Sequence, residues 1–250
     1  MNLPAAPALH AALETTWPPA ERRPCGPFRL RHGAGGGKRV SAATLDGEAA
    51  GAAEIDTAEA AMQTMGQAPL FMIRDADAWP GDTALDDALD ARGYRVVDPT
   101  VFYCAPVAAV AQVPRPMTTF PVWPPLALQT ALWQDAGIGP ERRAVMARAA
   151  DPKTAFMARH RNRAAGVAFV ALDRQNGIAM LHALEVTPSF RREGVARELV
   201  GAIAHWAQGQ GAAHFALAVT EANAEAGALY AGLGMTRTAG YHYRQKPPAP

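Results

Sequence analysis

The segment between residues 106 and 125 constrains the fold more than any other part of the sequence, because proline occurs in it six times. Proline lacks an amide hydrogen and has a fixed φ, so this density excludes a helix or a central strand and predicts an extended, semi-rigid connector. We therefore expect two domains, at residues 1–106 and 124–250, joined by a linker at residues 107–123. The prolines are Pro106, Pro114, Pro116, Pro121, Pro124 and Pro125.

The composition narrows the class of protein. A chain of 250 residues, 49% hydrophobic and 19% charged, can bury the core of one large or two small domains. The net charge of +1 argues against nucleic acid or an anionic membrane as partner. Cys25 and Cys104 are too few for a disulfide framework and lack metal-ligand spacing, so we expect no metal. Without a signal peptide or an apolar run of about 18 residues, a cytoplasmic location is expected.

The C-terminal half reads as helices and strands in a definite order. Asn176-Gly177, between two apolar runs, is a strong hairpin signal. Beyond Pro188, Val195 and Leu199 begin a helical repeat that ends near Gly209. This order predicts an α+β fold, a mixed α/β sandwich. Helices are predicted at residues 124–133, 140–150 and 223–232 besides the long one, and strands at 154–160, 166–172, 178–186, 213–219 and 235–244.

Two stretches could bind an anion, and the first is rich in glycine. The sequence HGAGGGKRVS at residues 32–41 contains four glycines before Lys38. A P-loop would need its first glycine at His32 and a serine or threonine at Arg39, and the dinucleotide pattern would need a glycine at Lys38. The residues that follow alternate like a strand. We therefore interpret this stretch as a hairpin turn.

The second stretch, SFRREGVARELV at residues 189–200, lies where a strand and a short loop lead into the long helix. A helix N-terminus offers unpaired N–H groups that attract phosphate. Small residues at Gly194 and Ala196 allow close approach, and Arg191 or Arg192 adds a cationic donor. The alternative is an ordinary helix start with two solvated arginines.

The surroundings of this stretch resemble a known family. Val186, Pro188, Arg191, Gly194 and Ala196 match the pattern V-x-P followed by [Q/R]-x-x-G-x-[G/A] of the GNAT superfamily, the acyl-CoA-dependent N-acyltransferases. The run NAEAGALYAGLGM at residues 223–235 resembles the second family motif, N-x-x-A-x-x-L-Y. The departures are Ala196 for the commoner glycine and Met235 for phenylalanine.

The resemblance implies a GNAT-like fold and a site for acetyl-CoA as co-substrate. The pyrophosphate would contact the amides of residues 192–196, and the pantetheine arm would run beside residues 184–186. The two central strands, at 178–186 and 213–219, would splay apart to admit the thioester. The implied coenzyme-binding residues are Leu184, Glu185, Val186, Arg191, Arg192, Glu193, Gly194, Val195, Ala196 and Asn223, although Asn223 could equally cap its helix.

The family also implies proton-transfer residues. Tyr230 matches the tyrosine near the coenzyme sulfur and could protonate the leaving thiolate; the alternative is a packed core tyrosine. The general base often lies on the strand before the motif, and His182 fits that position with a suitable pKa, unless it is a hydrogen-bonded core histidine. Strand alternation predicts that Glu185 points to the opposite face from His182.

The N-terminal half resembles the degenerate copy of tandem GNAT proteins, because no matching coenzyme motif stands at a strand-to-helix junction in it. We expect it to pack against the catalytic half and to wall the acceptor cleft. The predicted function is an N-acetyltransferase that transfers an acetyl group from acetyl-CoA to a primary amine of a small molecule or peptide by direct attack. The alternative is a non-catalytic acyl-CoA-binding regulatory module.

Overall fold

A computed structural model of the chain describes residues 2–247. It contains the helices α1 Ala6–Thr16, α2 Ala52–Thr64, α3 Gly81–Ala91, α4 Val107–Val110, α5 Ala127–Asp135, α6 Pro140–Arg148, α7 Val195–Gly209 and α8 Ala224–Ala231. The strands are β1 Glu21–Cys25, β2 Phe28–His32, β3 Thr44–Leu45, β4 Leu70–Arg74, β5 Arg95–Pro106, β6 Thr119–Val122, β7 Lys153–His160, β8 Arg163–Asp173, β9 Ile178–Val186, β10 His214–Thr220 and β11 Thr236–Gln245.

The chain divides into two compact units whose boundaries differ from those expected at residues 106 and 124. Within the described residues, the first unit comprises residues 2–18, 102–219 and 223–238. The second comprises residues 19–101, 220–222 and 239–247. The N-terminal helix α1 therefore belongs with the C-terminal half, and the end of the last strand, β11, belongs with the N-terminal half. Contacts between residues far apart in sequence decide which unit each chain end joins, and no local sequence signal predicts these contacts.

The first unit is built on a sheet in the strand order β5-β10-β9-β8-β7-β6. Strands β6 to β9 are antiparallel, and β9 pairs in parallel with β10. Ten successive residues of β8 have more than half of their surface area buried, because helices cover both faces of this strand. Helix α7 packs on one face through Val195, Leu199 and Ile203. Helices α1 and α5 contact β8 and β9 as well.

The proline-rich segment is not a plain connector. Residues 107–110 form the short helix α4, and residues 119–122 form the edge strand β6, which pairs with β7. Pro121 is tolerated in this strand because an edge strand has a side on which no amide hydrogen is needed. The expectation of an extended linker over residues 107–123 was therefore wrong for these two elements.

The second unit has a three-stranded antiparallel sheet, β1-β2-β3, and the strand order β4-β11-β5. Strand β11 pairs antiparallel with β4 from Tyr241 opposite Arg74 to Gln245 opposite Leu70. Its apolar core includes Phe28, Ile55 and Phe71. The C-terminal tail after Lys246 has no sequence signal of structure. Its residues 248–250 lie outside the described residues.

Candidate functional site

A β-bulge interrupts strand β9 shortly before its end. Phe169 of β8 lies opposite His182, and Val167 of β8 lies opposite Glu185. Two residues of β9, Ala183 and Leu184, therefore lie opposite the one residue of β8 that stands between Val167 and Phe169. Ala183 has a φ of +50°, which an alanine adopts only under constraint. The extra residue bends the strand at this point.

The side chain of Trp133 holds the bulge in place. Its indole Nε1–H donates a hydrogen bond of 2.9 Å to the carbonyl oxygen of Ala183, and the whole Trp133 side chain is buried. Trp133 lies near the end of α5. The sequence pattern around Trp133 does not predict this hydrogen bond to the bulge. This contact fixes the strand conformation that positions the residues after Ala183.

Beyond the bulge, β9 separates from β10. The parallel pairing runs from Ile178 opposite His214 to Leu181 opposite Leu217 and ends there. The remaining residues of β9, from 182 to 186, have no partner on β10 among the described residues. The expected splay of the two central strands is confirmed. It leaves main-chain groups of β9 available to an extended ligand.

The bulge also changes which side chains share a face. Directly opposite residues of an antiparallel pair point to the same face of the sheet, and Phe169 and Val167 are two residues apart on β8. Their partners His182 and Glu185 therefore point to the same face. The expectation of opposite faces was wrong, because simple alternation does not continue through a residue inserted by a bulge.

Glu185 is a half-buried carboxyl near the splay. Burial raises its pKa above the ordinary value, and the charges of Arg191 and Arg142 oppose that rise. Gly166 of β8 makes the close approach possible, since a Cβ there would lie 2.8 Å from the carbonyl oxygen of Glu185. A carboxylate with a raised pKa accepts a proton more readily than an ordinary surface glutamate.

His182 lies in a more enclosed environment. Its side chain is 4% exposed, and the ring packs 4.9 Å from the ring of Trp17. Its Nε2 lies 2.9 Å from the hydroxyl of Thr16, and that hydroxyl donates its hydrogen to the carbonyl oxygen of Ala12 at 2.6 Å. Nε2 therefore carries a hydrogen and donates it to Thr16. This environment is that of a hydrogen-bonded core histidine, the alternative role considered for it.

Tyr230 lies near the end of α8 and is 6% exposed. Its ring packs against that of Tyr103 with the centroids 5.7 Å apart. Burial, with a smaller contribution from the negative charge of Glu185, raises the pKa of Tyr230 to about 12. The phenol therefore keeps its proton throughout the neutral range, and it lies close enough to Glu185 for the two groups to interact.

The turn before α7 presents a row of main-chain N–H groups. The hydrogen bonds of the preceding 3₁₀ turn end with the N–H of Arg191, and those of the helix begin with the N–H of Glu198, which bonds the carbonyl oxygen of Gly194. Within residues 2–247, the N–H groups from Arg192 to Ala196 have no hydrogen-bond acceptor. Arg192 and Gly194 have φ values of +64° and +83°. Successive amides in such a turn form an anion-binding concavity.

The space in front of this turn is open. A Cβ built on Gly194 would meet no atom within 4 Å. The residues present, successive main-chain amides around a glycine whose Cβ position is open, are of the kind that fits the pyrophosphate of an acyl-CoA. Leu184 and Val186, on the adjoining end of β9, are partly buried and pack against the same apolar cluster as Val195.

The side chains of the turn and of α8 make separate contacts. Arg191 Nε donates to the carbonyl oxygen of Val186 at 3.3 Å, and Arg192 forms an exposed ion pair of 3.4 Å with Glu225. Asn223 Oδ1 accepts the N–H of Ala226 at 3.1 Å. Asn223 therefore caps α8, which was one of its two expected roles.

The glycine-rich stretch of the second unit forms a turn between β2 and β3, which pair antiparallel. The N–H of Gly36 bonds the carbonyl oxygen of Gly33, and Lys38–Val40 form a short 3₁₀ turn instead of the expected strand. Lys38 pairs with Asp98 at 2.8 Å. The hairpin interpretation is confirmed, with the correction that the residues after the glycines are not extended.

No cluster of three or more His, Cys, Asp or Glu side chains within residues 2–247 could hold a metal ion. None of the helices in that range combines the length and the apolar character needed to cross a bilayer.

Comparisons with known proteins agree with the class that the fold and the turn define, an acyltransferase of the GNAT type. A model of the Acetyltransferase (GNAT) family matches residues 118–235. An aminoglycoside N(6')-acetyltransferase type 1 from Serratia marcescens is 38% identical over 124 residues, which are 45% of this chain and 84% of that protein. The chain therefore belongs to the GNAT acetyltransferase family.

Solved structures share the fold over most of the chain. A GCN5-related N-acetyltransferase from Kribbella flavida aligns with a TM-score of 0.72 at 17% identity, over 98% of this chain and 96% of that one. A tandem GNAT protein from the clavulanic acid biosynthesis pathway aligns with a TM-score of 0.59 at 14% identity, over 89% and 79%. These likenesses confirm the GNAT-like α+β fold, and the tandem neighbour fits a chain of two units.

Proposed function

We propose that this chain is an N-acetyltransferase that transfers the acetyl group of acetyl-CoA to a primary amine of a small molecule or peptide by direct attack. The observation that carries the proposal is the row of unpaired amides from Arg192 to Ala196 beside the splayed strands β9 and β10. This arrangement offers a phosphate site and an open strand edge within one unit. Acetyl-CoA, when bound, supplies an acetyl group activated as a thioester.

The turn and the end of β9 would hold the coenzyme. The amides of Arg192, Glu193, Gly194, Val195 and Ala196 would bind the pyrophosphate, since the positive end of the α7 dipole adds to their attraction for an anion. The main chain at Leu184 to Val186 would bond the pantetheine amides as an added strand would. An N–H group in this segment would polarise the thioester carbonyl.

Glu185 is the general base that we favour over His182. Amines are protonated at neutral pH and must lose a proton before they attack. Glu185 is half-buried, has a raised pKa and lies close to Tyr230, whereas His182 is enclosed beneath Trp17 and donates from Nε2 to Thr16. A base must reach the incoming amine, and the less enclosed carboxylate meets that condition.

Tyr230 would complete the reaction as the general acid. Its raised pKa of about 12 keeps the phenolic proton in place at neutral pH. The proton is then available to the sulfur when the carbon–sulfur bond breaks. The order of proton movements is removal at the amine by Glu185 and delivery by Tyr230, with no covalent enzyme intermediate.

A titration followed by an acceptor screen tests the function. We expect acetyl-CoA to bind in isothermal titration calorimetry and ATP and NAD to show no heat. With acetyl-CoA present, mass spectrometry of a panel of amines would then detect an acetylated product. The panel includes aminoglycosides because the Serratia marcescens relative is named for that substrate.

The alternative function, a non-catalytic acyl-CoA-binding module, predicts a different result. Acetyl-CoA would bind, but no amine in the panel would be acetylated. Binding of ATP or NAD without acetyl-CoA would overturn both functions and direct attention to the glycine-rich turn at residues 33–37.

A further inference from the structure

An acidic side chain lies in the turn that we propose for the pyrophosphate. Glu193 stands between Arg192 and Gly194, and its own N–H belongs to the row of unpaired amides. A carboxylate directed toward a bound phosphate would repel it, because like charges in close contact are strongly unfavourable. The position of this side chain therefore bears on coenzyme affinity.

Two side chains hold the Glu193 carboxylate. His160 Nε2 lies 2.8 Å from Glu193 Oε2, and Arg161 Nη2 lies 3.0 Å from the same oxygen. Both belong to the turn between β7 and β8. The Glu193 side chain is 27% exposed and that of His160 24%, so the contact is partly shielded from solvent.

The β7–β8 turn is a regular two-residue hairpin turn. His160 pairs with Arg163 across the hairpin, which leaves Arg161 and Asn162 as its two central residues. Both have positive φ values, of +48° and +62°, as a type I′ turn requires. Asn162 Oδ1 also accepts a hydrogen bond of 2.7 Å from Arg159.

Phe190 packs against His160 and Arg163, the two residues that flank this hairpin turn. This residue is 5% exposed and lies just before the amide-lined turn. The ring of His160 meets the ring of Phe190 edge to face, with the centroids 5.8 Å apart, and the guanidinium of Arg163 lies 5.5 Å from the Phe190 ring centroid. The imidazole is thus placed by aromatic packing and by its contact with Glu193.

We infer that His160 and Arg161 form a clamp that holds the Glu193 carboxylate away from the amide-lined turn, with the Arg161 guanidinium as its counter-charge, so that the turn can accept a pyrophosphate. The inference rests on the proposed function of that turn. His160 and Arg161 are positioning residues, because they act on the coenzyme through Glu193. The distinguishing consequence is that their removal harms binding only while Glu193 carries its charge.

A double-mutant cycle in the full chain tests the clamp. His160→Phe keeps an aromatic ring beside Phe190 and removes the contact with Glu193. We expect this variant to weaken acetyl-CoA binding on the order of tenfold in calorimetry, because the released carboxylate faces the phosphates. His160→Phe combined with Glu193→Gln should recover the affinity that His160→Phe loses, and Glu193→Gln alone, which keeps the main-chain amide and removes only the charge, is the reference for that comparison.

Steady-state kinetics separate the clamp from a general structural role. In His160→Phe the KM for acetyl-CoA should rise while kcat stays near the wild-type value, since the reacting groups are elsewhere. Arg159→Gln is the matched control, because Arg159 lies on the same hairpin but contacts Asn162 and not Glu193. Its KM should not change.

Two outcomes would overturn the clamp while the proposed function stands. These are wild-type affinity in His160→Phe, or a double variant that binds as weakly as His160→Phe. Should His160→Phe not fold, Arg161→Glu serves instead, since Arg161 is 69% exposed and its replacement adds a like charge that Glu193→Gln must relieve. Failure of the wild-type chain to bind acetyl-CoA would instead overturn the proposed function, and the clamp with it.

Discussion

Glu185 lowers the stability of the fold at neutral pH, because the cost of withdrawing its carboxylate from water exceeds the attraction of Arg191 and Arg142. The folded-state pKa is raised, so the favourable, protonated form contributes stability that is complete below the ordinary pKa. That contribution is lost as the pH rises through the higher folded value. A group that destabilises its own fold in this way is typical of a functional site.

The substitution Glu185→Gln separates stability from activity. We expect the variant to unfold at a higher temperature than wild type at pH 7, because a neutral amide incurs less desolvation cost. We also expect its kcat/KM to fall by about 100-fold or more, the usual effect of losing a general base. The acid limb of the wild-type pH–rate profile should lie above the ordinary glutamate pKa and should disappear in the variant.

Glu198→Gln is the matched control for this prediction. The ion pair with Arg115 lowers the pKa of Glu198, so its charged form contributes stability that is lost as the pH falls through the folded value. The control should therefore be slightly less stable at pH 7, by about 0–1 kcal/mol, with an unchanged pH–rate profile. A Glu185→Gln variant that keeps full activity would remove Glu185 from the mechanism.

Tyr230→Phe should slow the reaction without weakening coenzyme binding. The variant keeps the ring that packs on Tyr103 and loses only the phenolic hydroxyl group. We expect kcat to fall by about 100-fold and the calorimetric Kd for acetyl-CoA to change by less than about threefold. Tyr103→Phe, which removes the neighbouring hydroxyl, is the control and should react at nearly the wild-type rate. A large loss of affinity in Tyr230→Phe would make Tyr230 structural.

Residue roles were the least predictable part of the site. Tyr230 and Gly194 could be named because each occupies a fixed place in a local motif, and both lie in the first unit near the splay. The relation of Glu185 to His182 could not be read from the sequence, since it depends on a bulge at Ala183 that Trp133 stabilises from another element. Bulges have no reliable local signal, and one inserted residue changes the face of the residues that follow.

At the scale of elements, the N-terminal turn of α7 can be tested by two equivalent substitutions. Gly194 and Gly211 flank α7 at its two ends, both have positive φ values near +85°, and both have open space where a Cβ would be. Aspartate at either position therefore causes similar backbone strain. Only the N-terminal one adds a negative charge in front of the unpaired amides.

We expect Gly194→Asp to raise the Kd for acetyl-CoA by about 100-fold or more, because the new carboxylate occupies the pyrophosphate position. Gly211→Asp should bind acetyl-CoA like wild type, and the two variants should have similar unfolding temperatures. Calorimetry and thermal unfolding measure both effects. Equal affinities in the two variants would show that the amide-lined turn does not hold the coenzyme.

The order of elements was largely predictable, since each depends on a short pattern. Strand β9 was predicted at its observed bounds, and α8 and β10 within a residue at each end. The failures share a cause. Strand β6 contains Pro121 and helix α1 has Pro7 in its first turn, and both elements are stabilised mainly by what they pack against. Helix α1 packs on β8 and β9, and β6 pairs with β7, and a local pattern reports neither of these partners.

At the scale of the whole molecule, both units are assembled from distant parts of the chain. The first unit takes its N-terminal helix α1 from residues that precede the entire second unit, and residues 239–247 complete the second unit from the far end. Leu9, Leu13 and Thr16 of α1 are buried in the first unit. Each buried leucine contributes about 1.5–3 kcal/mol, a large share of the net stability of a domain.

A fragment of residues 124–250, the domain expected from the proline-rich boundary, should therefore fail to fold. It lacks α1 and residues 102–106 of β5, and we expect no cooperative thermal transition and no stabilisation by acetyl-CoA. A fusion of residues 2–18 to residues 102–250 through a glycine–serine spacer restores these parts and should melt cooperatively. Scanning calorimetry with and without acetyl-CoA distinguishes the two chains. A fragment 124–250 that melts cooperatively and is stabilised by acetyl-CoA would show that the sequence-based boundary defines an autonomous catalytic domain and that α1 is dispensable.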